Sequence, residues 1–416
     1  MPGSPVTKPR MPRRPPLRIE VNNGLDSRAD RIDDRAIDCT TWRRHDAMAQ
    51  PRRRTRVETK GRDEMTGMRL TRRGALGAGL GALAPVFAPN LQAQDFMTPE
   101  TLRVGSVPYI SAGPTFIALA RGYFDKVNLK VEMKSFADGG LAIPILTAGE
   151  LDITISTCSA GLFNTLAKGA PFRLFTGGSR ERPGVGSQCF MVSNELHAKG
   201  LTSIAEIAKA KGSTIGISVR GSISQFLYSK ALAKGGLKPD DVEWQWGVAS
   251  NISPQMLGAN RIGITNLPVP MCFAAEKRGL GKILFWGDEA APDTQIALWA
   301  ASGEARARRR SALVRFAMVQ RQAAQDFMQA ARDGNPAIIK ILADATGLPA
   351  EIIETSRPRW SGYAPDGMPN LDSVMEQAAF WHRAGMIPKV PSAAEVFELD
   401  IAEEARKRLD DKNPFI

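Results

Sequence analysis

A short apolar strand, a loop of small residues, a helix and a second strand follow one another between Leu102 and Phe136. That succession admits few folds. Leu102, Val104 and Val107 with small neighbours form the kind of apolar run that is buried in a parallel sheet. Pro108 to Pro114 reads as a loop carrying Tyr109 and Ser111. Thr115 to Arg121 has a helical pattern, with Phe116, Ile117, Leu119 and Ala120 on one side. Gly122 ends it, because glycine accepts the left-handed conformation just past a helix. Leu129 to Phe136 reads as the second strand. Such a βαβ unit holds ligands beyond the carboxyl end of its first strand, which makes Tyr109 and Ser111 candidate contacts.

The same grammar continues. Leu141 to Ala148 is helical, Gly149 closes it, and Asp152 leads into a strand, Ile153 to Ser156. Ser156, Thr157 and Cys158 stand at that strand's carboxyl end, and Ser159 can cap the helix Ala160 to Lys168. Free amides at a helix start favour an anionic or strongly polar ligand. After the strand Phe172 to Thr176, the glycine-rich loop Gly177 to Ser187 carries Arg180 and Arg182. Arginine suits fork-like pairing with carboxylate or sulfonate. Cys189 to Ser193 is an apolar strand and is read as the crossing into a second lobe.

In that lobe Thr214 to Ser218 is a strand, and Arg220, Gly221, Ser222, Ile223 and Ser224 open the next helix. Gly-Ser at such a junction lets backbone amides approach a ligand. Trp244 and Trp246 share one face of the strand Val242 to Val248, a packing arrangement, and Asn251 follows. The strand Arg261 to Leu267 brings Thr265 and Asn266 as neutral hydrogen-bonding candidates. Ile296 to Ala300 is read as the return crossing. A long helix, Arg306 to Arg332, opens on a basic run expected to be a solvated face.

With 416 residues the chain has room for two lobes. Its net charge of +12 would suggest nucleic acid, but residues 1–93 hold 19 Lys and Arg against 10 Asp and Glu. Only +3 remains for the rest, without a basic helix or an aromatic-interleaved patch, so nucleic-acid binding is not expected. Residues 1–64, rich in Arg, Pro and Asp, read as a disordered or untranslated arm, with translation starting at Met65 or Met68. Residues 65–93 read as an export signal: a basic start, a mildly apolar stretch from Gly74 to Phe87, then small residues up to Ala93. Thr71 to Leu76 resembles a twin-arginine signal, departing from it at Ala75. The later cysteines, Cys158, Cys189 and Cys272, lack CxxC spacing and read as buried single thiols. His197 and His382 have no ligand pattern around them, so no metal site is expected, and neither a nucleophile elbow nor a P-loop occurs.

Four stretches together carry a resemblance: Ala120 to Phe124 (ARGYF), Leu146 to Asp152 (LTAGELD), Ala233 to Val242 (AKGGLKPDDV) and Phe380 to Ile387 (FWHRAGMI). The chain from Leu102 to Phe397 resembles solute-binding proteins of ABC importers of the nitrate/sulfonate/taurine type, a group that includes binders of thiamine precursors. The resemblance implies an α/β, two-lobed type II periplasmic-binding-protein fold. Each lobe would be a mostly parallel sheet flanked by helices, with two hinge crossings. The first lobe would comprise residues 94–190 and 300–416, and the second 191–299. It further implies a periplasmic, monomeric, non-enzymatic protein without a cofactor, whose partners are a small solute and a permease in the cytoplasmic membrane. The family's usual Asp is absent from the strand Arg261 to Leu267. With the helix starts at Ser156-Thr157 and Gly221-Ser222, Arg180 or Arg220 to add a full charge and no acidic residue at either junction, a small organic anion, sulfonate or carboxylate, is the expected solute. A neutral pyrimidine or thiamine precursor read by Thr265, Asn266 and Asn251 is the alternative, and so is a cleft-cysteine enzyme of the sulfinate-cleaving type using Cys158. Replacing Arg72 and Arg73 with lysine is expected to trap precursor in the cytoplasm, read by cell fractionation; normal export of that double mutant would exclude the twin-arginine route.

Overall fold

The computed structural model describes residues 98–136 and 138–416. The expected arm and export signal lie outside these residues. Twelve strands among them form two five-stranded sheets and one two-stranded ribbon. The first sheet contains β1 (Glu100–Ser106), β2 (Leu129–Ser135), β3 (Ile153–Thr157), β4 (Arg173–Gly177) and β12 (Ala297–Ala301), in the order β2-β1-β3-β12-β4. The second contains β6 (Gln188–Val192), β7 (Thr214–Ile217), β8 (Glu243–Trp246), β9 (Ile264–Pro268) and β10 (Lys282–Trp286), in the order β10-β6-β9-β7-β8. The ribbon pairs β5 (Arg180–Glu181) with β11 (Thr294–Gln295).

Each sheet has one reversed strand. β12 runs antiparallel to both β3 and β4, and β6 antiparallel to both β9 and β10, while the other strands of each sheet run in one direction. The reversed strand is in each case the one that follows a passage between sheets. The chain leaves β4 and passes through β5 into β6; it returns from β10 through β11 into β12. The passages are therefore the ribbon strands. β6 begins at Gln188 inside the second sheet and β12 at Ala297 inside the first, not at the 190/191 and 299/300 divisions expected from sequence. Two-residue strands carry no hydrophobic period, which is why the apolar runs beside them looked like the crossings.

Five helices place the groups discussed below: α1 (Gly113–Ala120), α2 (Ala160–Ala167), α3 (Ile223–Lys234), α4 (Arg310–Asp333) and α5 (Leu371–Arg383). Gly122 follows α1 in the left-handed conformation, φ 67°. The expected long helix is two, because Arg309 leaves helical geometry between Gly303–Arg308 and α4. Nor is its basic run a free face. Arg309 joins Arg103 on the buried carboxylate of Asp152, Arg306 pairs with Glu398, and Arg310 pairs with Asp400 and Glu404. Burial raises the Asp152 pKa, but the hydrogen bonds from Arg103 and the charge of Arg309 outweigh it and hold that carboxyl below the usual range. Midway along α4 the buried Arg315 donates to the carbonyls of Thr98, Val127 and Asn128 and pairs with Glu100, fixing the start of β1.

The two crossings are tied together by Gln295, which is 1% exposed. Its Nε2 donates to the carbonyls of Ala297 (2.8 Å), Ser179 (3.1 Å) and Gly178 (3.4 Å). Its Oε1 accepts from the Asn370 amide, its own amide donates to Ser373 Oγ, and its carbonyl accepts from Gln377 Nε2. One side chain thus joins both passages to the start of α5. An ordinary hydrogen bond contributes about 1 kcal/mol, but a buried polar group left without a partner costs about 1–3 kcal/mol. Gln295→Leu is expected to destabilise by about 2–4 kcal/mol, read as a lower urea midpoint at unchanged m-value.

Candidate functional site

The carboxyl ends of β1, β3, β7 and β9 carry the loops from which a site can be built. In the first sheet, β1 ends at Ser106 and leads through Tyr109 and Ser111 into α1. Tyr109 is half-buried, and burial, assisted by the nearby charge of Asp138, pushes its phenol above the ordinary range, so the ring stays neutral. The Ser111 carbonyl accepts a 2.5 Å bond from Tyr363 Oη, and the Arg180 amide donates to the neighbouring Gly362 carbonyl at 2.9 Å. The segment 362–363 therefore links the loop after β1 to the ribbon. Gly139 packs against Ser156: a Cβ there would lie 3.0 Å from the Ile155 carbonyl oxygen and 3.4 Å from Ser156 Cα. Asp138 caps the turn containing it by accepting from the Gly140 amide. Gly139 thus lies against the end of β3 at Ser156, Asp138 beside it acts on Tyr109 through its charge, and Thr157 is half-buried.

The loops of the two sheets make direct contact. The Ala160 amide at the start of α2 donates to the Gly221 carbonyl at 2.8 Å. Gly221 has φ +79°, and a Cβ on it would come within 2.8 Å of the Ala160 Cβ. Only glycine fits that meeting. One of the helix-start amides expected to serve a ligand is thus engaged by the opposite loop. Ser159 caps α2 as expected, accepting from the Leu162 amide. Ser222 sits at the start of α3, but its buried Oγ caps nothing and has no partner. Ile223 is packed in the core, and Ser224 Oγ donates to Asn266 Oδ1 at 2.7 Å. Asn266 Nδ2 in turn donates to the Cys189 carbonyl (3.0 Å) and Gln188 Oε1 (3.3 Å), linking the first turn of α3 to the strand that follows the crossing.

Other candidates fall elsewhere. Thr265 is 1% exposed and its hydroxyl donates to the Gly216 carbonyl, a bond between neighbouring strands. Asn251 is exposed in the turn after β8. Arg220 is exposed and lies over the Trp246 ring at 5.9 Å; that ring stacks on Trp244 with centroids 5.4 Å apart at 9°. Arg220 thus has an exposed cation–π contact that period-2 spacing alone did not announce. Cys158 is fully buried; its amide donates to the Ile296 carbonyl and its carbonyl accepts from Trp381 Nε1. Burial pushes its thiol well above the ordinary range, so it is a poor nucleophile. Cys158, Cys189 and Cys272 are all buried and free, as expected. No cluster of three or more metal-ligating side chains exists among the described residues.

Arg180 is different. It stands half-buried on the ribbon between the two sheets, its Nε is shielded from solvent without a hydrogen-bond partner, and it forms no ion pair among the described residues. Two more shielded, partnerless hydroxyls belong to residues not singled out from sequence: Ser106 at the end of β1 and Ser179 beside Arg180. A serine at a strand end is too common a signal to select unaided.

Residues 97–343 match the NMT1-like family. No match was found among curated proteins. Among solved structures, the periplasmic nitrate-binding protein NrtA from Synechocystis PCC 6803 superposes with a TM-score of 0.62 at 16% identity, over 76% of this chain and 91% of that one. The alkanesulfonate-binding protein SsuA from Xanthomonas axonopodis pv. citri, bound to MOPS, gives 0.59 at 18% identity, over 72% and 99%. A zinc-bound ligand-binding component of an ABC-type import system from Staphylococcus aureus gives 0.62 at 16%, over 74% and 99%. At such identities these likenesses speak for the fold, a two-lobed periplasmic-binding-protein architecture. With more than half its length matched, the chain belongs to the NMT1-like family.

Proposed function

We propose that this chain is the exported solute-binding component of an ABC importer, and that it captures a small organic anion, a sulfonate or carboxylate, between its two lobes for delivery to the permease. The observation that carries this reading is Arg180: a cation on the crossing ribbon with a solvent-shielded, partnerless Nε and no carboxylate paired to it among the described residues. A buried donor without an acceptor costs free energy unless something else supplies one. An anionic oxygen is the acceptor that a guanidinium fork fits best. The partnerless hydroxyls of Ser106, Ser179 and Ser222 offer further donors, and Tyr109 offers a neutral ring for an apolar body. The names of the solved neighbours, a nitrate binder and an alkanesulfonate binder, point the same way.

The pyrimidine alternative is weaker, because Thr265 is engaged by Gly216 and Asn251 is exposed beyond β8. Thermal-shift screening of the protein from Gln94 onward against sulfonates, carboxylates, nitrate and pyrimidines supplies the ligand for the test. By calorimetry Arg180→Ala is expected to bind it about ten- to a hundredfold more weakly, the loss of one charge-assisted hydrogen bond worth about 1.5–3 kcal/mol. Arg220→Ala is expected to bind as wild type does. A neutral best ligand, bound equally by Arg180→Ala, would defeat the reading.

Cys158 supports binding without turnover, since its thiol is fully buried and held protonated. The ligand is expected back unchanged after prolonged incubation, and Cys158→Ser is expected to bind it within about threefold of wild type. A product that mass spectrometry finds with wild type and not with Cys158→Ser would establish an enzyme instead.

A further inference from the structure

The ribbon holds a second unusual group, on the face opposite Arg180. Glu181 is wholly buried. Its Oε1 accepts from the amides of Ser187 (2.9 Å) and Gln188 (3.2 Å), with Ser187 Oγ at 3.5 Å, so the side chain ties the start of the first crossing to its end. Its Oε2 has no partner. That oxygen lies against two glycines: a Cβ on Gly186 would fall 2.0 Å from it and one on Gly287 2.6 Å. No cation faces it. Asp288, at the start of the helix Gly287–Ala290, adds a like charge nearby, and Asp288 already serves the Gly184 amide and Arg359. Arg182, like Arg180, is a strand neighbour of Glu181 and therefore projects from the other face; it donates to the Tyr363 carbonyl. Thr294 faces Glu181 across the ribbon and carries no charge.

A carboxylate in that place would leave half its charge on a dry oxygen without a donor, beside another acid. We propose that Glu181 is a proton-linked lock on the crossing: a neutral carboxylic acid while the ribbon is seated between the sheets, and an ionised one once the ribbon loosens and water reaches it. Seating then takes up one proton. Burial, with Asp288 adding to it against the opposing amide bonds, pushes this carboxyl from its ordinary 4.5 up to about 8. The sign follows from linkage. Below the ordinary value both states are protonated and pH has no effect. Between the two values the seated state holds the extra proton, so loosening grows up to about tenfold per pH unit; above about 8 both states are ionised and the effect levels off.

The test is hydrogen exchange with mass spectrometry on peptides spanning Gly178 to Gln188, from about pH 5.5 to about pH 9, corrected for intrinsic rates. In wild type, protection of this segment is expected to fall by up to about tenfold per unit and to level off near 8. In Glu181→Gln, an uncharged amide of nearly the same shape, it is expected to be independent of pH. A flat wild-type profile, or an equal slope in Glu181→Gln, would overturn the proposal. Infrared spectra of wild type carrying ¹³C-labelled glutamate give a second readout independent of the variant's folding. One protonated glutamate band at about pH 6.5, lost as pH rises through about 8, is expected. Its absence at the lower pH would equally overturn the proposal.

Discussion

The primary amide of Gln295 is the point on which the two halves of this molecule turn. Two passages of chain run side by side between separate sheets, joined by backbone bonds from the Ile296 and Ala297 amides to the Ser179 carbonyl. Buried backbone groups must find partners. Gln295 supplies donors to both passages at once and then fixes the start of α5 through three further bonds. α5 in turn packs across the boundary: Phe380 meets Phe226 of α3 edge-on at 5.1 Å, and Trp381 bonds the carbonyl of Cys158 beside α2. Ion pairs add to the closure, Asp288 with Arg359 at 3.1 Å and Lys277 with Glu351 at 2.8 Å. The latter is exposed and contributes little; the former is largely shielded from water and matters more.

The polar groups at the strand ends divide into those already used and those left over. Thr265, Ser159 and the Ala160 amide are consumed in holding the loops where they are. Asn266 and Ser224 are consumed in aligning α3 with the strand that enters the second sheet. What remains is a shorter set, Arg180 with the hydroxyls of Ser106, Ser179 and Ser222, drawn from both sheets and the ribbon between them. Residues that look interchangeable in a sequence are thereby sorted by one question: whether the fold has already claimed their hydrogen-bonding capacity.

The architecture was legible because its signals are periodic. Apolar runs at β1, β3, β6 and β12, and the stops at Gly122 and Gly149, follow from rules that act over a few residues. The site was less legible because its members are selected by contacts over long separations. Nothing near Arg220 in the chain says that its guanidinium will lie over Trp246, and nothing near Arg306, Arg309 and Arg310 says that Glu398, Asp152 and Asp400 will pair with them. The crossings were displaced by a few residues for a related reason. A two-residue strand such as Arg180–Glu181 is defined by its partner Thr294–Gln295, more than a hundred positions away.

The position of β12 has a consequence for how the chain must be made. In the first sheet this strand lies between β3 and β4, yet it is synthesised more than a hundred residues after either. Until residues 297–301 leave the ribosome, the inward edges of β3 and β4 have no neighbour, and an open strand edge is a template for pairing with other chains. The second sheet has no such wait, since all five of its strands come from the uninterrupted stretch 188–286. Vectorial synthesis therefore favours completing the inserted lobe first and leaves the enclosing lobe as the stage most exposed to aggregation and most in need of a holding chaperone.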